Sequence, residues 1–209
     1  EGIPSPSGEE GPSFSALSWQ ALPLFGTFFL WGLGTGAQQL ARPLFAASFG
    51  VPIFLITLIT ASNAMSHLIS APVTGFLTDR WGRKPLVIFG NLLRGVTTAL
   101  QFFSRSYFQF FILEFIGGIG VSMWGTGSSI IMADVTRPEN RGRAMAVRGT
   151  AMRLGSIIGP SVGGLIAVFS SLRYIFLFNA VTKIGIHLLL VLMVRETRPE
   201  STRRQATRG

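Results

Sequence analysis

The chain has 209 residues, of which 48% are hydrophobic and only 13% charged, and its mean hydropathy is +0.47. Soluble domains carry about a quarter charged residues, so a free-standing soluble globule and a disordered chain are both excluded. The net charge of +9 invites a nucleic-acid partner, but the basic residues fall in short breaks between apolar runs rather than on one groove-facing surface. Cysteine is absent, which removes disulfides, thiolate metal sites and a cysteine nucleophile.

Residues 1–19 contain Pro, Ser, Gly and Glu but neither Lys nor Arg, and read as a disordered cytoplasmic lead-in. A signal peptide would need a basic start and a short apolar core. The chain opens at Glu1 and its first Met is Met65, so a fragment or processed product is expected. Six apolar stretches follow, at 20–41, 51–77, 85–103, 107–133, 144–169 and 174–194. Each is long enough, at 1.5 Å per residue, to cross a hydrocarbon core of about 30 Å. Barrel strands would alternate in polarity, whereas runs such as 53–59 and 187–194 are apolar on both faces. The expected fold is an all-α membrane protein with six transmembrane helices. Residues 195–209 form a basic tail suited to an anionic inner leaflet, at about 1 kcal/mol per basic residue.

Orientation follows from Lys and Arg. The connections after stretches two, four and six hold eleven: Arg80, Arg83, Lys84, Arg137, Arg141, Arg143 and five in the tail. The opposite connections hold three, Arg42, Arg105 and Arg173, and the remaining four of the 18 lie within stretches. The positive-inside rule then places both termini in the cytoplasm.

Between stretches two and three stands the decapeptide Gly75-Phe76-Leu77-Thr78-Asp79-Arg80-Trp81-Gly82-Arg83-Lys84. Gly75 would let the helix end approach a neighbour closely. Asp79 and Arg83 are four apart at the bilayer edge, where partial desolvation strengthens an ion pair, and Asp134 offers Arg83 a second anion. In stretch five, Gly155, Gly159 and Gly163 recur at i, i+4 and i+8 and present a flat face for helix contact. Pro160 removes a backbone donor and can kink the helix, and Gly164 follows the stripe.

Glu114 lies deep in stretch four, where an ionised group costs about 2.5–3.5 kcal/mol unless it is paired or faces water. At 1.5 Å per residue it sits about 10 Å below the outer edge, and Arg94 lies within about 6 Å of the same depth. Two readings stay open: a Glu114–Arg94 ion pair, or a desolvated Glu114 that carries a proton. Stretch two has a polar face, Asn63, Ser66, His67, Ser70 and Thr74, which must meet other helices or water. Gln38 and Gln39 follow the flexible Gly32-Leu33-Gly34-Thr35-Gly36 segment. There is no Walker loop, His67 and His187 are isolated, and Ser128-Ser129 has no partnered base, so neither an enzyme, a metal centre nor a cofactor is expected.

The decapeptide resembles the signature loop of the major facilitator superfamily, G-x-L-x-D-R-x-G-R-K, at all seven specified positions, a chance match on the order of one in 10⁸ per start position. The resemblance implies that Gly75, Asp79, Arg80, Gly82, Arg83 and Lys84 form a gating motif with Asp134. In the family this charge network holds the outward-facing state. Residues 155–164 are similar to the G-x-x-x-G-P-x-x-G-G element of antiporter branches, especially drug:proton exporters. Stretch four departs from the family, because Glu114 stands where proton-coupled members have an arginine.

The resemblance implies an amino-terminal six-helix half over residues 20–194, built from two inverted three-helix repeats in a plasma or inner membrane. Helices one, two, four and five would line the substrate path. That singles out Gln38, Gln39, Asn63, Glu114, Trp124 and Arg153 as cavity or proton-coupling groups, and sets aside Arg94, Lys183 and His187. The implied function is secondary active transport of a small organic solute by alternating access, as proton-coupled efflux of an amphipathic compound. The alternatives are uptake of a sugar or organic anion, and a half-length scaffold that does not transport. A lone half would leave polar groups facing lipid, so a second half is expected in cis, from a homodimer or from a partner chain.

Overall fold

The computed structural model describes residues 18–136 and 138–193. The side chains of 18–24, Asp79, Trp81, Asp134, Val135, Glu139, His187 and 189–193 are outside that description. Among the described residues the chain forms six long helices and no strand: α1 Ser18–Ala47, α2 Ile53–Trp81, α3 Arg83–Phe102, α4 Tyr107–Val135, α5 Arg141–Phe169 and α6 Leu172–Met193. A 3-10 turn, Pro138–Asn140, precedes α5. The expected lead-in up to residue 17 and the tail from 195 lie outside the described residues, while residues 18 and 19 open α1.

Two helix ends differ from expectation in ways that matter. α1 continues past Arg42-Pro43 to Ala47 instead of stopping near residue 41. Proline forfeits one backbone bond, but burial of Phe45 and Ala46 beyond it offsets the loss. Arg42 is therefore a helical residue and not part of a connection. α2 likewise runs on to Trp81, so most of the gating decapeptide is helical and Gly82 alone separates α2 from α3. Gly82 has φ 92° and ψ 167°, a conformation open essentially to glycine, and its N–H closes α2 on the Thr78 carbonyl at 3.2 Å. At the opposite end, Ser106 caps α4 by accepting the Gln109 N–H at 3.3 Å.

Within α2, α4 and α5, the segments Ile53–Thr78, Tyr107–Ala133 and Arg141–Phe169 are long and apolar enough by themselves to cross a membrane. α3 and α6 carry inward-facing polar groups. On α3 the buried set includes Asn91, Arg94, Thr97, Thr98 and Gln101, and on α6 it includes Asn179, Thr182 and Lys183. The outer surface is the reverse of a soluble protein's, with Leu68, Ile157, Val168 and Phe169 all more than 70% exposed. Such a surface is stable against lipid and a liability in water.

The packing has internal symmetry. α1 packs on α5 as α2 packs on α4, α1 on α6 as α4 on α3, and α3 meets α6 directly. Exchanging the first three helices with the last three leaves this set unchanged, which is the signature of two inverted repeats. α2 and α5 correspond under that exchange. Both have 29 residues, and counting Ile53 and Arg141 as first, Pro72 and Pro160 are each the twentieth.

Candidate functional site

Five helices converge on Glu114. The carboxylate is fully buried and its Oε2 accepts from Gln101 Nε2 at 2.7 Å, while its Oε1 accepts from Asn63 Nδ2 at 3.0 Å. Arg94 Nη1 reaches Oε2 at 3.4 Å, and Arg42 Nε lies 3.2 Å from Oε1 as an ion pair, not aligned as a hydrogen bond. Gln38 forms the second tier. Its Oε1 accepts from Arg94 Nη2 at 3.0 Å, from Arg42 Nη2 at 3.3 Å and from Asn179 Nδ2, while its Nε2 donates to Gln101 at 2.8 Å. Gly117 makes room for the Arg94 guanidinium, since a Cβ there would collide with Nη1. Two guanidinium groups thus face one carboxylate, and the cluster holds one positive charge in excess.

The Glu114–Arg94 pair expected from depth is therefore present. Arg94 belongs to the centre of the molecule although α3 was set aside, because the Asn91, Arg94, Thr98 and Gln101 stripe turns inward. Among the described residues Gln38, Glu114 and Trp124 are buried, while Asn63 is half-buried. Gln38 and Glu114 are wholly enclosed, Asn63 is tied to Glu114, and Trp124 is only 2% exposed. Gln39 and Arg153, by contrast, are exposed.

Lower in the bundle, Trp31 and Trp124 stack with ring centroids 3.4 Å apart and planes within 5°. Lys183 Nζ stands 3.4 Å from the Trp31 centroid and donates to the Trp31 carbonyl. Beyond Trp124, Arg148 Cζ lies 6.0 Å from the Trp124 centroid and 5.2 Å from that of Phe28. A cation–ring–ring–cation ladder thus runs from α6 through α1 and α4 to α5. Arg148 Nη1 donates to Ser129 Oγ at 2.7 Å and Nη2 to Ser128 Oγ at 3.2 Å, which gives the Ser128-Ser129 pair a partner.

The glycine stripe of α5 meets α1 backbone to backbone. A Cβ at Gly159 would stand 2.5 Å from the Leu33 carbonyl oxygen, and one at Gly163 2.9 Å from that of Ala37. Gly155 faces Phe29 and Leu33, and Gly36 on α1 returns the fit against Ser156. Gly164 and Gly75 have nothing within 4 Å of an added Cβ among the described residues, so Gly75 makes no close approach there. Pro160 is half-buried within continuous helix. At the other end of the gating motif, the Asp79 and Asp134 side chains lie outside the described residues, while Arg80 is exposed and Arg83 and Lys84 are half-buried.

Sequence reasoning missed Arg42, Trp31, Gln101, Arg148 and Asn179. The stripe on α3 at spacings of three and four, and Asn179–Lys183 four apart on α6, were the available signals.

Comparison with known proteins points one way. The chain is similar to multidrug resistance protein 1 of Bacillus subtilis, 29% identical over 173 residues that cover 83% of this chain and 44% of that protein. It is 34% identical to the class H tetracycline resistance protein of Pasteurella multocida over 137 residues, covering 66% of this chain and 34% of the relative. In structure it resembles the human organic anion transporter MFSD10 (TETRAN) with a TM-score of 0.69 and 24% identity, covering 86% of this chain and 48% of that one. The chain thus spans from about a third to about half the length of these relatives. The sequence profile of the Major Facilitator Superfamily matches residues 24–209, and the chain belongs to that family of membrane transporters.

Proposed function

We propose that this chain is the amino-terminal half of a secondary active transporter that exports amphipathic organic compounds in exchange for protons, with a second half completing the substrate path. The observation that carries export is the α5 element. Its Gly155, Gly159 and Gly163 dock on α1 with backbone contact, and Pro160 follows within the same helix, as in antiporter branches of the family. The names of the bacterial relatives, resistance proteins for multiple drugs and for tetracycline, support the same direction.

Glu114 is the proposed proton-exchanging group of this half. It lies about 10 Å in from the start of α4, counted at 1.5 Å per residue. Under the positive-inside orientation that end faces outward, and Arg42, whose side chain is 16% exposed, lines the approach. A proton arriving from outside would neutralise the carboxylate and release Arg42 and Arg94 from it. Each elementary charge crossing the membrane supplies about 2.3 kcal/mol per 100 mV, comparable to the cost of opening such a pair.

Everted vesicles containing the full-length protein test the proposal. Ethidium accumulation should need an imposed proton gradient and stop when nigericin collapses it, and Glu114→Gln should remove the pH dependence. Accumulation indifferent to the gradient would refute proton exchange.

A further inference from the structure

We propose that Arg148 binds the carboxylate or sulfonate of an aromatic organic anion entering from the cytoplasmic side, a substrate class that rests on the transporter reading above. Arg148 is half-buried on α5, about 10 Å in from the helix start at Arg141. Among the described residues its polar partners are all neutral: Ser129 Oγ at 2.7 Å, Ser128 Oγ at 3.2 Å and the Gly125 carbonyl at 3.5 Å. Both serines give their own protons to the Gly125 carbonyl, at 2.8 Å from Ser129 and 3.2 Å from Ser128, so toward Arg148 they act only as acceptors. The Arg148 Nε is enclosed and has no acceptor among the described residues. Among the described residues no carboxylate lies within 4.0 Å of this guanidinium.

A cation at this depth is costly unless an anion neutralises it. The described surroundings supply only more positive charge, because Lys183 stands at the far end of the Trp31–Trp124 stack. The planar fork of a guanidinium suits a two-oxygen anion, which can displace the weaker serine acceptors. The half-buried Phe25, Phe29, Met145 and Met152 packed on the same cluster favour a ligand with an apolar body. An anion with an aromatic ring satisfies both demands.

Radiolabelled salicylate and its neutral analogue salicylamide are the probes, measured by equilibrium binding to the full-length protein in lipid nanodiscs. Wild type should bind salicylate in preference to salicylamide. Arg148→Gln should weaken salicylate about tenfold or more and leave salicylamide unchanged, as expected for loss of a charge-assisted pair. Arg148→Lys keeps the charge without the fork and should fall between them. Arg105→Gln, on an exposed connection, should match wild type. Equal binding of the two probes by wild type overturns the proposal, as does undiminished salicylate affinity in Arg148→Gln. Should the glutamine variant fail to fold, an Arg148→Lys affinity equal to wild type overturns it instead. Vesicles that export ethidium while the protein ignores salicylate would sink the anion site alone, whereas absence of any gradient-driven export would sink the transporter reading beneath it.

Discussion

Replacing Glu114 by glutamine keeps the shape of the side chain and deletes its charge. Four groups lose their anion: Arg42, Arg94, Gln101 and Asn63. A glutamine oxygen can still accept from an amide, so the large loss comes from the two guanidinium groups left facing each other in a buried site. Removing one partner of a buried ion pair costs about 3–5 kcal/mol. At about 2–4 °C per kcal/mol for a domain of this size, the melting temperature should fall by about 6–20 °C. Thermal unfolding in detergent, followed by tryptophan fluorescence, reads this directly, because Trp31 and Trp124 are stacked and buried in the native state. Glu114→Gln combined with Arg94→Gln should be less damaging than the sum of the two, with a coupling above about 1 kcal/mol. A single variant that loses less than about 1 kcal/mol would refute the hub, and would mean that water or lipid headgroups already neutralise Arg42 and Arg94.

Gly159→Ala should lower the melting temperature by the equivalent of about 1–3 kcal/mol, because its Cβ would meet the Leu33 oxygen and the Ala37 nitrogen, 2.6 Å away, and both are backbone. Gly164→Ala, with nothing within 4 Å, should be neutral or slightly stabilising in the same assay, and the reverse order would overturn the α1–α5 contact. Gly82→Ala should cost about 1–3 kcal/mol through backbone strain at φ 92°, and an unchanged midpoint in chemical denaturation would argue against that junction. Lys183→Met removes a buried cation held by one long hydrogen bond and a ring face, and keeps a stem of similar length. It should raise stability by about 1–3 kcal/mol, and a lower melting temperature would show that the cation–ring contact outweighs desolvation.

The outline of the fold was legible because lipid imposes a simple rule, that long apolar runs must be helices. The depth of Glu114 against Arg94 was legible for the same reason, since rise per residue converts sequence position into height. Arg42 was misplaced because Pro43 reads as a helix end, and nothing local reveals that Phe45 and Ala46 will be buried beyond it. Arg94 and Lys183 were set aside on family grounds that assign α3 and α6 to the periphery. Height along a helix does not give direction, and only the pattern of polar residues on α3 carried that information. The Trp31–Trp124 stack joins residues 93 positions apart and left no periodic trace. Gly75 is the opposite case, a small residue with no close contact among the described residues.

The buried charges make structural sense as positioning devices. α6 reads α1 at two heights, through Asn179 on Gln38 and, one turn later, through Lys183 on the Trp31 carbonyl. Gln38 and Trp31 are seven residues apart, about two turns on one face of α1. α3 makes the same connection, since Asn91 donates to the Lys183 carbonyl at 2.8 Å and Arg94, one turn on, enters the Glu114 hub. A slide of α1 against α6 would break the hub and the ladder together. Buried ionic and polar contacts add little net stability but reject alternative registers strongly, because every misplacement strands a charge in hydrocarbon. If the chain is one half of a transporter, as proposed above, the same contacts would let it rotate as a single body. On that proposed reading the motion of alternating access falls to a boundary with a second half, where the exposed Gln39 and Arg153 are candidates to meet it.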